Sequence, residues 1–383
     1  MQKISGYKEI YRAFDKLKQL MEAVCLPEAV ELSDALRASG TRDKNIWWAV
    51  LAAYIDGGEA EKALEAARQY GQLFGRDGVG LFLLGRAEMM NDDWGGAEQC
   101  FLEALQMDMP DWYRGATHSI YASLCRKLGR AEQAAEHYRE SCRYKDLSTG
   151  ALAEYSNYLF NLHYQAKPQD FMLAAAQGYG RLLAGVKPYL HRKPYGHKKL
   201  RLGYISPDLR FHVVAFFCYA MLKDYDRQAF EVYCYTNCEE DAASAEFQVS
   251  ATVWHNVRGW PDEKVAALIR QEEIDILVEL AGHTANNFLP VLAYKPAPVQ
   301  VSGIGYFDTT GLEAVDYFLA DPYIDPVEPE GGNDRYFTER LLRLPHSHFC
   351  YMWHDKPGPV SGAPCLRKGY VTFGSLNNVA KLS

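Results

Sequence analysis

An alanine-rich phrase that recurs through the first third of the chain constrains the fold more than any other feature. The three copies lie at residues 56–67, 92–105 and 128–138, and aligning Ala63 with Ala97 and Ala134 gives spacings of 34 and 37 residues. A small residue at one place in each copy lets two helices approach closely, and the Gly or Asp before it supplies a turn. The pattern predicts stacked helix pairs, which usually form a concave face for an extended peptide or a partner helix.

This phrase resembles the tetratricopeptide repeat, a helical pair of about 34 residues. Helical periodicity also precedes and follows the three copies, and Pro110 ends one of them because proline cannot continue a helix. Residues 1–185 are therefore predicted to form a tetratricopeptide-like helical repeat domain that binds polypeptide.

Charge and composition exclude several classes of protein. The 41 Lys and Arg residues against 49 Asp and Glu give a net charge of −8, which argues against nucleic-acid binding. The longest nearly apolar run, residues 213–222, is about half of what a membrane span needs. Nine cysteines without a Cys-x-x-Cys pair favour reduced thiols. The sequence predicts a soluble, cytoplasmic protein.

The apolar pattern changes after a basic linker at residues 186–199. Short apolar runs predict strands, and helical stretches separate them, so the alternation predicts an open parallel sheet. The expected strands are 200–205, 230–235, 274–280, 299–304 and 317–320, and the expected helices are 212–222, 261–271 and 286–294. Residues 200–365 are predicted to form a Rossmann-like α/β lobe, although no Gly-x-Gly-x-x-Gly follows its first strand.

A further apolar run follows a second linker at residues 357–364. Residues 370–375 are predicted to be the first strand of a second α/β unit that begins within 366–383. Because one strand cannot bury itself, we expect the sequence to end inside a larger protein.

The segments that follow the strands carry the candidate functional residues, because ligands of open parallel sheets bind outside the carboxyl ends of the strands. His212 would open a helix, where the dipole favours a neutral imidazole able to act as a general base. The alternative is a histidine hydrogen-bonded at a domain seam. The same choice between functional and structural roles applies to His283, which Thr284 follows.

Two later segments add a hydroxyl-rich loop and a lysine. Residues Thr309, Thr310 and Gly311 could bind a hydroxylated ligand through backbone N–H groups, or could cap the next helix. Lys381 follows the last apolar run, and its ammonium could offset charge on a phosphate leaving group. Alternatively, it is a surface lysine.

Two motifs with metal-binding residue types do not predict a metal site. Asp224-Tyr225-Asp226 has the Asp-x-Asp form but falls between a helix and the following strand, at the opposite edge of the sheet. The cluster of His346, His348, Cys350 and His354 lacks the paired spacing of a zinc site. No metal and no other cofactor is expected.

Five ordered motifs are similar to those of the protein O-linked N-acetylglucosamine transferases, including the bacterial and Spindly-type members. They are residues 202–208 with His212, residues 276–284, residues 295–301, Gly305-Tyr306 with residues 309–311, and residues 373–378 with Lys381. That family also places tetratricopeptide repeats before its catalytic region.

The resemblance implies a metal-independent, inverting glycosyltransferase with two facing Rossmann-like lobes, which transfers a sugar from a UDP-sugar to Ser or Thr hydroxyls of polypeptides. It implies that His212 is the catalytic base or a sugar contact, that Lys381 contacts the diphosphate and that Asn378 contacts the nucleotide. His283, Thr284 and residues 309–311 would line the cleft.

The chain departs from the family pattern at two places. Phe211 and Val213 flank His212 where Asn and Pro are usual, and Phe307-Asp308 replaces the usual Pro-Gly before the threonine loop. These departures affect the expected preference for acceptor or sugar. Most of the second lobe has no counterpart in residues 1–383, so the fragment alone is expected to be inactive. A repeat-based binding scaffold without catalysis is the alternative function.

Overall fold

The computed structural model describes residues 4, 6–191, 194–327, 332–352 and 359–377. Contacts divide the chain into two compact units, Met1–Glu154 and Tyr155–Ser383. Among the described residues, no helix is long and apolar enough to cross a bilayer.

The first unit is a helical array in which consecutive helices pack against one another. Its helices are α1 (Tyr7–Glu22), α2 (Leu26–Ala38), α3 (Lys44–Asp56), α4 (Ala60–Phe74), α5 (Gly78–Met90), α6 (Trp94–Gln106), α7 (Asp111–Lys127) and α8 (Ala131–Arg143). The repeated phrase forms the even-numbered helix of three pairs, with Ala63, Ala97 and Ala134 fully buried. The predicted helix pairs are confirmed, and the small residue lies where the helices meet.

A left-handed residue precedes each of these three helices. Gly58, Asp92 and Gly129 have φ angles of 77°, 59° and 75°. Glycine adopts this conformation without a steric penalty, and aspartate tolerates it better than most residues do. The turn predicted for each copy is therefore present at the equivalent position.

Buried tyrosines fill much of the helical array. The hydroxyl groups of Tyr54, Tyr70 and Tyr121 donate to Asp34, Asp77 and Glu98 at 2.8, 2.6 and 2.9 Å. A tyrosine can thus bury its ring while its hydroxyl keeps a partner. This packing accounts for some of the 26 tyrosines in the chain.

The second unit, called the α/β unit below, begins within α9 (Ala151–Leu162) and continues through α10 (Gln169–Leu182) into a region of alternating strands and helices. The remaining elements are β1 (Leu200–Ile205), α11 (Val213–Lys223), β2 (Phe230–Thr236), α12 (Ala242–Ser250), β3 (Val253–Asn256), α13 (Asp262–Gln271), β4 (Ile276–Glu279), α14 (Leu289–Ala293), β5 (Val299–Ser302), β6 (Tyr317–Ala320), β7 (Arg340–Arg343) and α15 (Pro364–Lys368). The chain passes from helix to strand between the end of α10 at Leu182 and the start of β1 at Leu200, a stretch that includes the predicted linker. The two compact units divide earlier, within α9. The domain bounds given above stay a prediction.

The sheet has seven parallel strands in the order β3-β2-β1-β4-β5-β6-β7. The five predicted strands and three predicted helices are confirmed to within a few residues. Four elements were not anticipated, namely α12, β3, β7 and α15. The two strands are four residues each and only partly buried, so they lack the continuous apolar run that marks the central strands.

The strand predicted at residues 370–375 is wrong. In the described part of the chain this segment has no regular structure and pairs with no strand. Its apolar side chains are exposed, with Phe373 94% accessible. An apolar run forms a strand only where a neighbouring strand satisfies its backbone groups.

Candidate active site at the carboxyl edge of the sheet

The strand order reverses between β1 and β4, and these two strands end side by side. β1 pairs with β2 on one side and β4 on the other, with Ile205 opposite Glu279. Ser302, the last residue of β5, lies opposite Glu279 in turn. The segments after β1, β4 and β5 therefore leave the same edge, at the place where open α/β sheets bind ligands.

His212 is the N-cap of α11, as its predicted position at the start of a helix requires. Its Nδ1 atom accepts a hydrogen bond from the backbone N–H of Val214 at 3.3 Å. The side chain remains 39% exposed. Among the described residues no hydrogen bond engages Nε2, so this nitrogen is available to a ligand.

Asp208 is a neighbour of His212 that sequence reasoning did not single out. Its Oδ1 atom lies 3.4 Å from His212 Nδ1. Burial raises the pKa of Asp208, while the nearby histidine opposes that effect. The position of Asp208, three residues after the end of β1 and four residues before the histidine, was the available signal.

The Val214 N–H and the Asp208 carboxylate compete for the same nitrogen of His212. If Nδ1 accepts from Val214, the neutral ring carries its proton on Nε2 and can donate to a ligand oxygen. If Nδ1 carries the proton and faces Asp208, Nε2 can accept a proton instead. The two tautomers correspond to the two roles suggested for this histidine, sugar contact and general base.

His283 lies in the turn after β4 but is only 1% exposed. Its Nε2 atom faces the carbonyl oxygen of Thr310 at 2.9 Å, and its Nδ1 atom lies 3.0 Å from the Ser156 hydroxyl. Because a carbonyl only accepts, Nε2 carries the proton and Nδ1 accepts from Ser156. Burial lowers the pKa of His283 to about 4. This geometry favours the structural alternative, and the ligand contact stays a prediction.

The turn that carries His283 is fixed by a buried carboxylate at the end of β4. Glu279 accepts from the backbone N–H groups of Ala281 and Gly282, both at 2.8 Å, and from the Ser302 hydroxyl at 2.9 Å. Burial raises the pKa of Glu279 to about 7, against the opposing effect of these donors. Within the same turn, the Thr284 hydroxyl donates to the Ala281 carbonyl at 3.0 Å rather than standing free.

Glu339 accepts hydrogen bonds from the threonine loop, which consists of Thr309, Thr310 and Gly311. Its carboxylate accepts from Thr309 Oγ1 at 2.7 Å, from the Thr310 N–H at 2.8 Å and also from the Thr310 hydroxyl. The N–H of Thr309 donates to Asp308, and that of Gly311 donates to Thr309 Oγ1. The three N–H groups thus have partners inside the protein.

Of the two predicted uses of this loop, the structure contradicts the helix cap. The chain continues from Gly311 to β6 without a helix, so the threonines cap none. Gly311 has a φ of 72°, and a Cβ atom there would lie 2.0 Å from the carbonyl oxygen of Ala176 in α10. The loop is therefore held against α10 by a contact that only glycine permits. A contact between the threonines and a ligand stays a prediction.

The remaining sequence candidates lie elsewhere. Asn378 and Lys381 fall outside the described residues. Asp224 and Asp226 occupy the loop between α11 and β2, at the amino edge of the sheet. His348 is buried, and its Nδ1 atom lies 2.6 Å from Asp321.

The strand order and the polar residues at the carboxyl edge are typical of open α/β sheets that bind a ligand at the switch point. Residues 182–355 match the family model for glycosyl transferase family 41. This match covers somewhat less than half of the chain, and over those residues it agrees with the resemblance that the motifs indicated.

Individual relatives agree with this class. The Petunia hybrida and Arabidopsis thaliana proteins described as "Probable UDP-N-acetylglucosamine--peptide N-acetylglucosaminyltransferase SPINDLY" are each 41% identical over 191 residues, or 49% of this chain. The match covers 20% of each relative. A solved Thermobaculum terrenum O-GlcNAc transferase mutant has a TM-score of 0.65 at 26% identity, over 81% of this chain and 59% of that one.

Proposed function

We propose that this chain is part of a protein O-glycosyltransferase that transfers a sugar from a UDP-sugar to Ser or Thr hydroxyls of polypeptides. N-acetylglucosamine is the proposed sugar, in keeping with the names of the relatives. The reaction is proposed to invert the anomeric centre and to need no metal. The helical array is proposed to bind the polypeptide acceptor.

The observation that carries the proposal is the position of His212. It caps α11 at the carboxyl edge of the sheet, beside the point where the strand order reverses, and its Nε2 atom is open to a ligand. Its neighbour Asp208 can select the tautomer that accepts a proton. An open histidine with a buried carboxylate behind it is an arrangement suited to general base catalysis.

In the proposed reaction, the acceptor hydroxyl oxygen attacks the anomeric carbon of the sugar. The bond from that carbon to the diphosphate oxygen breaks, and the electron pair leaves with UDP. The hydroxyl proton passes to Nε2 of His212, and Asp208 stabilises the resulting imidazolium. Lys381, if it contacts the diphosphate, offsets the negative charge of the leaving group without a metal ion.

The test compares His212→Ala with Asp208→Asn in a protein that carries both lobes. General base catalysis by His212 predicts that His212→Ala lowers kcat by roughly 100-fold or more. It also predicts that Asp208→Asn lowers kcat, because an amide does not stabilise imidazolium as a carboxylate does. Asp224→Asn, in the exposed loop at the other edge, is the matched control and should leave kinetics unchanged.

Two other outcomes would change the assignment. A raised KM with an unchanged kcat in His212→Ala would assign sugar positioning instead. Unchanged kcat/KM would remove His212 from the reaction and favour a non-catalytic scaffold. A panel of nucleotide sugars decides the donor, and a product that carries only another hexose or a deoxyhexose would contradict N-acetylglucosamine.

Residues 1–383 alone are proposed to show negligible transfer and weak or no UDP binding. The region aligned with the solved transferase corresponds to 59% of that chain, so the remaining 41% of it has no aligned counterpart in residues 1–383. Calorimetric titration of residues 1–383 with UDP tests this expectation. A micromolar Kd would contradict it.

A further inference from the structure

A polar cavity that does not include His212 lies entirely within the α/β unit. It has a volume of about 340 Å³ and is formed by the end of α9, the start of α10 and the loops after β5 and β6. We call it the Asp308 pocket. The residues that line it are Leu162, His163, Gln165, Lys167, Gln169, Met172, Phe307, Asp308, Ile324, Asp325, Asn333, Tyr336 and Phe337.

Asp308 is buried in the wall of this pocket, with 8% of its surface exposed. Its Oδ1 atom accepts from the Thr309 N–H at 2.7 Å. Its Oδ2 atom lies 3.8 Å from Nε2 of His163, which is too far for a hydrogen bond. Among the described residues, no hydrogen bond reaches Oδ2.

His163 does not donate to Asp308 Oδ2 in this geometry. Its Nε2 atom lies 2.8 Å from the hydroxyl of Tyr306, which stays protonated because burial raises the pKa of Tyr306 well above its usual value. Whichever group donates in that contact, Nε2 remains 3.8 Å from Oδ2, so among the described residues Oδ2 has no donor.

The pocket wall carries two carboxylates, Asp308 and Asp325, against one lysine. Asp325 is a second buried carboxylate, and its Oδ1 atom accepts from the Asn333 side chain at 3.0 Å. Lys167 is the only lysine or arginine among the described lining residues. A largely buried carboxylate that lacks a donor at one oxygen is costly to ionise, and a ligand cation that donates hydrogen bonds to that oxygen would offset this cost.

The rest of the lining suits a long side chain rather than a compact ion. Leu162, Met172, Phe307, Ile324 and Phe337 offer apolar surface beside the two carboxylates. Arginine and lysine bury their methylene stems against such surface while the charged end meets a polar group. The volume is near the lower limit of small-molecule sites, which matches one side chain.

We propose that the Asp308 pocket binds the guanidinium or ammonium group of a basic side chain, with Asp308 Oδ2 as its principal acceptor. That the side chain belongs to the polypeptide acceptor rests on the proposed function. A basic side chain bound there would give the chain a preference among polypeptide acceptors.

The test uses residues 1–383 and two probes of the same shape. N-acetyl-arginine amide carries the cation, and N-acetyl-citrulline amide replaces it with a neutral urea. Ligand-observed NMR titrations should show the arginine probe binding about tenfold more tightly, as expected for a charge-assisted hydrogen bond. Asp308→Asn should remove the difference between the probes, and Asp224→Asn should preserve it.

Several results would overturn the proposal. These are equal affinity of the two probes, an unchanged preference in Asp308→Asn, or displacement of neither probe by free arginine. If Asp308→Asn does not fold, as judged by its melting curve, Asp325→Asn takes its place and should reduce the preference. No transfer reaction is measured, so failure here leaves the proposed glycosyl transfer standing, and failure of transfer leaves this binding result standing.

Discussion

The helical array and the α/β unit differ in how their buried polar groups are satisfied. In the array, buried tyrosine hydroxyls meet carboxylates nearby, as Tyr54 meets Asp34 and Tyr121 meets Glu98. At the carboxyl edge of the sheet, burial instead raises the pKa of the carboxyls of Asp208, Glu279 and Asp308. The sheet edge thus brings together three carboxyls whose protonation a ligand could change, whereas in the array burial raises the pKa of Glu88 in the same way.

The largest expected effect compares a glycine from each unit. Gly311→Ala combines a left-handed φ with a Cβ only 2.0 Å from the Ala176 carbonyl oxygen, so it should destabilise the α/β unit by roughly 3–4 kcal/mol. Gly58→Ala in the array has a similar φ but open space, so it should cost about 1 kcal/mol. Hydrogen exchange, read separately for the amides of each unit, measures both changes.

Equal losses for the two glycine variants would contradict this ranking. They would mean that the backbone of the threonine loop moves away from α10 at little cost. The contact would then not explain why the loop adopts its observed path.

The difference between the units also decides what could be predicted from sequence. The array follows from a period of about 34 residues, and the central strands follow from continuous apolar runs, because both signals are local. The partners of the threonine loop are not local, since Glu339 lies about 30 residues away from Thr309. His163 and Asp308 approach each other only through the packing of α9 against the sheet region.

The error at residues 370–375 has the same origin. An apolar run predicts a strand only if something pairs with it, and that condition cannot be read from the run itself. By contrast, the position of His212 was predictable because a strand end and a helix start both bracket it. Asp208 could have been found by the same argument, whereas the burial of His283 depended on Tyr179 and Tyr306.

The next-largest expected effect is the pH dependence of folding stability that the buried carboxyl of Glu279 causes. Its folded-state pKa, about 7, lies above the usual 4.5, so the folded protein binds this proton more tightly and loses stability as pH rises from about 4.5 to 7. Glu279→Gln removes the buried charge while its amide can still pair with the turn and Ser302. The variant should gain roughly 2–3 kcal/mol at pH 8 and little at pH 4.5.

Chemical denaturation at several pH values, with exchange in the α/β unit as the readout, checks this prediction. Ser302→Ala is a useful companion, because it removes one donor to Glu279 without removing the charge, and so should retain the pH dependence. A loss of stability in Glu279→Gln at pH 8 would show that the hydrogen bonds outweigh the burial of charge.

The helical array should respond to pH in the opposite direction. His118 and His137 approach each other through their Nδ1 atoms at 2.8 Å, so one must donate and the other accept. Burial lowers the pKa of both, that of His118 to about 4. Their folded-state values lie below the usual 6.5, so their stability contribution is present above pH 6.5 and is lost as pH falls toward 4.

We expect the unfolding temperature of the array to fall by roughly 3–5 °C between pH 7 and pH 5, and less in His118→Gln. Glutamine can still bond to His137 but does not titrate, which separates protonation from loss of the contact. Exchange in the array, measured on the whole chain, distinguishes this effect from that of His283 in the other unit. An array whose stability rises on acidification would contradict the assignment.

The smallest expected effect concerns the ion pairs between successive repeats. Arg86 lies 2.9 Å from Asp56, but both side chains are partly exposed, at 26% and 41%. Exposed pairs contribute little because solvent screens them and ordering two side chains costs entropy. A double-mutant cycle with Arg86→Ala and Asp56→Ala should give a coupling of about 0.5 kcal/mol that falls further in 1 M salt. A coupling near 2 kcal/mol would instead mean that charge, and not the packing of buried alanines such as Ala63 and Ala97, sets how the repeats stack.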